Sequence, residues 1–598
     1  MKFNWKKSIT LLLCFVLMIS LAACAKETTN EVPNGSGTYK AGSYTGVGKG
    51  NNGDVKVEVV FDENSIVSVK VLEHAETDGI SNAPIDRIPT EIVENQTLAV
   101  DVIAGATNTS NAILLAVEDC VKQAGGNVDS LKLATDKKDD NKTETEMSTD
   151  VVVIGGGGTG LAAAASAHEH GADVIVLEKL ATVGGSTALS GGGISATGTR
   201  FQKELGIEDS KESWMSLWKE RQSTSNPNGK YPDYDVVDTF MDEAIVTTHW
   251  LVDYIKHAYT KIEGFGFDPV ARLHFPEKGG ADVTNNIEKF ISAEGVQILT
   301  ETPATDLLTD DSGNVIGVIA EGPEGRIKIN AKKVILATGG FAKNEELLER
   351  LVPQMAGTAA MSAASVGSTG DGIIMAEKLG AALYEEAWVI GLGMGSKVQE
   401  LRGIEWDSTK VLINEKGERF MNESSHYAIV TNKVSEQEQV WMLIDSSEGN
   451  AKHAEALKGL LPNDEIATGE TFEELAKAMG VSEANLVNTM KAFNEGAKTG
   501  NDAFGKPQAM IVPVETGSYY AVKFYPKTMG TFGGVKTNEN YQVLKADGSV
   551  INNLYAGGEV ANKVLYNQVY MSGSAVQFAL TSGRLAGEHA AKAVLAGN

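Results

Sequence analysis

A threonine hydroxyl standing just ahead of an apolar helix is a place to hold a phosphate. This chain has one in Asp101-Val-Ile-Ala-Gly105-Ala-Thr107, followed by Asn-Thr-Ser and an apolar run from Ala112 to Val121. The first amides of a helix lack intrahelical partners and lie at the positive end of its dipole, so anions are favoured there. Further along, Asp150-Val-Val-Val-Ile-Gly155-Gly-Gly157-Gly-Thr159-Gly160 begins a second site of another kind. Its glycines permit a tight turn, close approach of a pyrophosphate, and close packing of helix on strand. Glu178, with Lys179 beside it, ends the next strand and is placed to bond a ribose hydroxyl.

The elements that position these groups are legible around them. Val151 to Ile154 reads as a buried strand, Leu161 to His170 as an alanine-rich helix and Val174 to Leu177 as a second strand, in the order that nucleotide binding requires. Residues 38–133 form a small α+β unit, with strands over Val55 to Phe61 and Ile66 to Val71 and helical segments near Ile92 to Val102 and Ile113 to Gln123. Residues 134–148, rich in Lys, Asp, Glu and Thr without apolar periodicity, read as a linker that lets the first site approach the second. At the start, Lys2, Lys6 and Lys7 precede an apolar run from Ile9 to Ala23 that is too short for a stable membrane span, so residues 1–24 read as a targeting segment and 25–37 as a polar stalk.

Composition narrows the chemistry. A net charge of −27 argues against nucleic-acid binding, which calls for excess Lys and Arg. The 64 glycines cluster as Gly-Gly pairs at strand ends, as in nucleotide-binding α/β proteins. Of the three cysteines, Cys14 and Cys24 fall in the targeting segment and Cys120 on the apolar helix, as a core residue. That leaves no Cys-x-x-Cys-His haem site, no thiolate set for an iron–sulfur cluster and no metal site.

Several segments resemble known families. Leu21-Ala-Ala-Cys24 resembles a bacterial lipobox, which implies lipid on Cys24 and a place at the extracytoplasmic face of the cell membrane. Asp101 to Thr107 resembles the motif of FMN-binding domains, which implies FMN joined to Thr107 by a phosphoester, with Asp101 and Gly105 in the motif. Val183-Gly-Gly185-Ser186-Thr187-Ala-Leu-Ser-Gly-Gly192-Gly193, Ile335-Leu-Ala-Thr338-Gly339-Gly340-Phe341, Ser368-Thr-Gly-Asp371-Gly372, Leu554-Tyr-Ala-Gly-Gly558-Glu559 and Ser572-Gly-Ser574-Ala575-Val576 resemble the fumarate reductase and succinate dehydrogenase flavoprotein family. The nearest branch is the soluble fumarate and urocanate reductases, with the 3-ketosteroid dehydrogenases beside them. The resemblance implies non-covalent FAD held by these residues and by Ala304. It also implies an α/β fold with a Rossmann-like FAD domain at 149–384 and 526–598, interrupted by an α+β capping domain at 385–525. Val411-Leu-Ile-Asn-Glu-Lys-Gly-Glu-Arg-Phe-Met-Asn-Glu423 would be the cap's strand-turn-strand hallmark.

In the reductases an arginine follows the Arg-Phe-Val-Asn-Glu motif as proton donor and another clamps a carboxylate. Laid on this chain, the first place falls on Tyr427, with His426 beside it, and the second on Tyr570. Losing two charge-assisted bonds at about 1.5–3 kcal/mol each removes roughly two to four decades of affinity for a dicarboxylate. The tyrosines point instead to a neutral enone or a mono-carboxylic aryl acrylate. Tyr525-Pro-Lys527-Thr-Met-Gly-Thr-Phe-Gly-Gly534 looks more like the ketosteroid dehydrogenases, and Glu400-Leu-Arg402 resembles a glutamate–arginine proton relay one residue short. Arg402, His426 and Lys527 are reserve donors. The implied function is an extracytoplasmic reductase of C=C bonds conjugated to a carbonyl, fed by a membrane-associated electron donor through FMN and FAD. A dehydrogenase running the reaction backwards and a non-enzymatic flavin electron carrier are the alternatives.

Overall fold

The structure is a computed structural model and describes residues 38–77, 80–103, 105–133, 143–265, 268–401 and 403–597. Cys24, the targeting segment, the stalk 25–37 and Arg402 lie outside the described residues.

Alternation at Val55, Val57, Val59 and Phe61 turns one face of Asp54–Phe61 inward. This strand is central in an antiparallel sheet with Gly42–Lys49 and Ile66–Glu73. Helices Asn82–Asn95 and Thr107–Gln123 cover the buried face through Ile88, Ile92, Ile113, Ala116 and Val117. The second helix lies very close to the sheet because Gly46 and Gly48 face it: a Cβ there would come within 2.0 Å of the Ala116 carbonyl oxygen or 1.9 Å of that of Ala112. Cys120 is in this core, where burial pushes its thiol up to about 11. The first helix covers Asn82–Asn95 rather than Ile92 to Val102. Its prolines hide it in the sequence, but Pro84 occupies the first turn, where a missing N–H costs no helical bond.

The larger unit is built on a sheet ordered Ala304–Thr309, Val315–Gly322, Gly325–Leu336, Thr143–Ile154, Val174–Leu177 and Gln297–Leu299. The last four strands in this order run parallel to one another, and Val550–Ala556 joins them in parallel alongside Val334 to Leu336. Residues 143–148 are therefore strand, not linker, pairing from Thr143 opposite Gly325 onward. Polar alternation did not prevent a solvated ladder, because Glu146 finds Lys328 and Asn330 on the neighbouring strand at 2.9 and 2.7 Å. The last helix, Ser574–Leu595, packs across the first helix of the nucleotide fold, Gly158–Glu169. Gly583 and Gly587 make this crossing possible, since Cβ atoms there would lie 2.2 Å from the carbonyl oxygens of Thr159 and Ala163.

A second sheet, ordered Trp388–Gly395, Tyr519–Phe532, Val440–Asp445 and Val411–Asn414, carries the cap. The expected boundary at 525/526 cuts the long strand Tyr519–Phe532, whose end enters the main core at Phe532 beside Trp388 and Ile390. The boundary at 384/385 likewise assigns Trp388 to Ile390 to the cap although they pack in the main core. The hallmark at 411–423 holds one strand instead of two. A buried charge network fixes its second half as a loop: Arg419 joins Glu423 and Asp502, and Lys506 reaches Glu423 at 3.1 Å.

Candidate active site

A single cavity of about 1020 Å³ runs between the larger unit and the cap. That is the upper end of the range for small-molecule sites and suits a dinucleotide plus a substrate.

One end is made by the nucleotide fold. Gly157 caps the helix Gly158–Glu169 in extended backbone, and a Cβ built on it would point into open space, with Gly184 O nearest at 4.0 Å. That hollow against a helix N-terminus is the cradle a pyrophosphate needs. Gly155 and Gly160 serve the protein's own packing: Gly155 has φ +108° with its Cβ position 2.4 Å from Ala337 O, and Gly160 would put a Cβ 1.8 Å from Gly155 O. Glu178 Oε2 accepts from Gly156 N–H and Oε1 from Leu180 N–H, both at 2.8 Å. Burial raises its carboxyl above the usual range, against those hydrogen bonds. Lys179 Nζ holds Asp371 at 2.6 Å and also bonds Thr369.

Thr159, Gly185, Ser186, Thr187, Gly192, Gly193, Ala304, Thr338, Gly339, Ala575 and Val576 also line the cavity. Four of the expected cofactor residues stand behind its wall. Gly160 is one. Gly340 leaves room for Glu559 and Thr531, Gly558 (φ +70°) for Thr159 Oγ1, and the Ser574 hydroxyl is taken up by Tyr566 at 2.7 Å. Glu559 does face the cavity; it accepts from Thr531 N–H at 2.7 Å, and burial pushes its carboxyl up to about 7.

At the other end Tyr427 and Tyr570 come together with ring centroids 6.2 Å apart. Tyr427 opens the helix Tyr427–Ser435, and its hydroxyl lies 3.2 Å from Ser572 Oγ. Tyr570 Oη accepts from Gly573 N–H at 2.9 Å, at the N-cap of the last helix. Because that oxygen is already an acceptor, the phenol proton is left to donate outward. Burial raises both phenols, Tyr570 to about 12. Two O–H donors beside the positive end of a long helix can stabilise charge growing on a carbonyl oxygen.

Of the reserve donors, His426 and Lys527 stand outside the cavity lining, although the His426 ring lies 4.1 Å from that of Tyr427. His426 caps the Tyr427 helix, its Nδ1 accepting from Ala428 N–H at 3.2 Å, and burial depresses it to about 3. A histidine so hard to protonate serves the helix end rather than proton delivery. Lys527 lies outside the lining and is 3.4 Å from Glu405, which does line the cavity.

Ser572, Glu405, Asp407 and Arg221 were not singled out in the sequence. Glu405 and Asp407 line the cap-side wall, and each is paired with a lysine, Lys527 at 3.4 Å and Lys410 at 2.7 Å. Arg221, on Lys211–Gln222, is near enough to His426 and Tyr427 to act on both electrostatically, and burial lowers its own guanidinium. Ser572 was legible inside its glycine-rich motif; the others are brought in from distant elements.

In the smaller unit Thr107 is exposed and is the first residue of its helix, behind Ala106, which has no side chain to cap it. Asp101 is exposed, and Gly105 has φ +91°. No acid occupies the first turn. The N-terminus thus fits a phosphate on the Thr107 oxygen. Buried Glu76, an unpredicted neighbour, braces this helix by accepting from Thr109 Oγ1 and from Asn52 N–H.

Comparison with known proteins agrees with this division. Residues 150–575 match the FAD binding domain family and residues 50–122 the FMN-binding domain family. Urocanate reductase of Eggerthella lenta is 32% identical over 593 residues, covering 96% of each chain. The open conformation of a flavocytochrome c3 fumarate reductase is 28% identical with a TM-score of 0.59, over 75% of this chain and 79% of that one. A 3-ketosteroid-delta4-(5alpha)-dehydrogenase from Rhodococcus jostii RHA1 is 27% identical with a TM-score of 0.60, over 75% and 98%.

Proposed function

Since the chain belongs to the fumarate and urocanate reductase family of flavoproteins, and is an oxidoreductase with FAD-binding and FMN-binding domains, we propose that it reduces a C=C bond conjugated to a carbonyl in a neutral enone or a mono-carboxylic aryl acrylate. FAD, when bound, would supply a hydride to the β-carbon, and FMN on Thr107 would supply the electrons that restore it. Gly157 and the helix behind it would hold the pyrophosphate, Glu178 a ribose, and Glu559 with the start of the last helix the reacting end. Tyr570, with its oxygen already accepting from Gly573 N–H, donates to the substrate carbonyl and steadies the charge that builds there. Tyr427 delivers its proton to the α-carbon, and Ser572 at 3.2 Å holds that phenol in place. The product gains one hydride and one proton.

The observation that carries this reading is the tyrosine pair where the family's proton-donating and carboxylate-clamping arginines are expected. Lipidation at Cys24, a place on the extracytoplasmic face of the membrane and a membrane-associated donor complete the proposal. Reduced viologen with a panel of enones, cinnamates, urocanate and fumarate tests it. Enones and aryl acrylates should turn over faster than fumarate, with solvent deuterium entering at the α-carbon. Fumarate as the best substrate would overturn the assignment. The reverse reaction, desaturation of a ketone, is favoured by the likeness to the ketosteroid enzyme; a FAD potential well below that of quinones would disfavour it.

A further inference from the structure

Glu301 is a strained residue with no role in the reaction. It follows the strand Gln297–Leu299 and has φ +52°, a backbone conformation that glutamate rarely takes. Two hydrogen bonds hold it there: Glu301 N–H to Leu180 O and Thr302 N–H to Glu178 O, both at 2.9 Å. So held, its carboxylate meets Arg87 Nη1 of the FMN-binding unit at 2.8 Å, while Arg87 Nη2 reaches Glu91 of its own helix at 3.2 Å.

Leu180, which anchors Glu301, faces the same unit. Its Cδ1 lies 3.6 Å from a Cβ built on Gly105, two residues before Thr107, and Ala181 packs against the FMN unit's core. The other side of this segment is the cavity wall, formed by Glu178, Lys179 and Leu180. An acid at the end of the second strand of a dinucleotide fold takes the adenosine ribose. This wall is therefore at the opposite end of the cofactor from Tyr427 and Tyr570.

We infer that Leu180, Ala181 and Glu301 form the docking surface for the FMN-carrying unit, latched by Arg87, and that electrons reach FAD from this wall while substrate enters at the tyrosine end. The two electrons that leave reduced FMN are the two that FAD gains, with protons exchanged with water. The location of the substrate end rests on the function proposed above; the docking surface does not.

Cysteines at both positions (R87C/E301C), bridged by a short bismaleimide in protein carrying both flavins, test the surface directly, since Cys120 is buried and its thiol hard to ionise. An intramolecular cross-link should appear by mass, and FAD should still bleach after viologen reduces FMN, at an undiminished rate with no substrate present. The pair is part-exposed, so R87E should slow FAD bleaching about fivefold at low salt, and R87E/E301R should restore it. E301N keeps a residue that tolerates the left-handed backbone but removes the charge; it should slow bleaching likewise without lowering the thermal midpoint. Absence of the cross-link, or a cross-linked protein in which FAD no longer bleaches, would overturn the inference. Failure of every unsaturated substrate while bleaching persists would instead count against the proposed reaction alone.

Discussion

Replacing Gly157 by alanine separates the two jobs that glycines do in the nucleotide turn. The backbone there is extended and suits any L-residue, and the new methyl finds its nearest protein atom 4.0 Å away. Alanine is a poorer N-cap than glycine by a few tenths to about 1 kcal/mol, but it stiffens the unfolded chain by about 0.4–1 kcal/mol. The flavin-free protein should thus melt within a degree or two of the parent. FAD binding should suffer, because the methyl fills the hollow where the pyrophosphate meets the helix amides. Each charge-assisted bond lost is worth about 1.5–3 kcal/mol, a Kd weaker by roughly 10- to 150-fold. Gly160→Ala is the control: its Cβ would sit 1.8 Å from a backbone oxygen, so it should destabilise the flavin-free protein by about 1–3 kcal/mol. Thermal melts of stripped protein and a fluorescence titration with FAD measure both. If Gly157→Ala binds FAD as the parent does, or melts as early as Gly160→Ala without flavin, the cradle has been misplaced.

Tyr427→Phe should cut C=C reduction by about two to four decades while FAD reduction proceeds normally, whereas Tyr570→Phe should raise KM more than it lowers kcat. Because burial raises both phenols, Tyr570 to about 12, kcat should show no alkaline fall attributable to them below about pH 10; a limb near pH 8 removed by either Phe variant would contradict this. Thr107→Ala should lose the FMN mass and keep FAD, and serine should recover part of it, so an unchanged intact mass would take the carrier role from Thr107. Glu559, raised to about 7 by burial, holds its proton more tightly folded than unfolded. It should weaken the flavin-free fold as pH rises from about 4.5 to 7, by of order 3 kcal/mol. His257, His274 and His426 are depressed and act in the opposite sense, so denaturant melts should compare the parent with Glu559→Gln, which should gain relative stability over that window.

What could be read from the sequence was local. The glycine turn, the acid after the second strand and the threonine before a helix each depend on a few consecutive residues, and their meaning survives without a fold. What could not be read depends on pairing. Thr143 to Ser148 looks like a tether until Lys328 and Asn330 are beside Glu146. The stretch after Asn414 looks like a second strand until Arg419 is caught between Glu423 and Asp502. The glycines of the FAD motifs look alike in the sequence, yet Gly157 makes room for a ligand, while Gly340 and Gly558 make room for Glu559 and Thr159. Arg221 and Glu405 carry no motif at all, and only the packing of distant helices and the cap brings them to the tyrosine end.

The crossing of the last helix over the first has a bearing on biosynthesis. Gly583 and Gly587 lie on Thr159 and Ala163, so the alanine-rich flank of Gly158–Glu169 stays uncovered until Ser574–Leu595 has been made. Contacts of such high sequence separation close late and slowly. The same last helix supplies Ala575 and Val576 to the FAD cavity. A chain clipped before Ser574 would be left with an open cavity and an exposed apolar helix that associates with other partly folded chains. Retention of FAD thus depends on Ser574–Leu595 having been made and docked on Gly158–Glu169, and a product lacking that helix is directed toward aggregation or proteolysis.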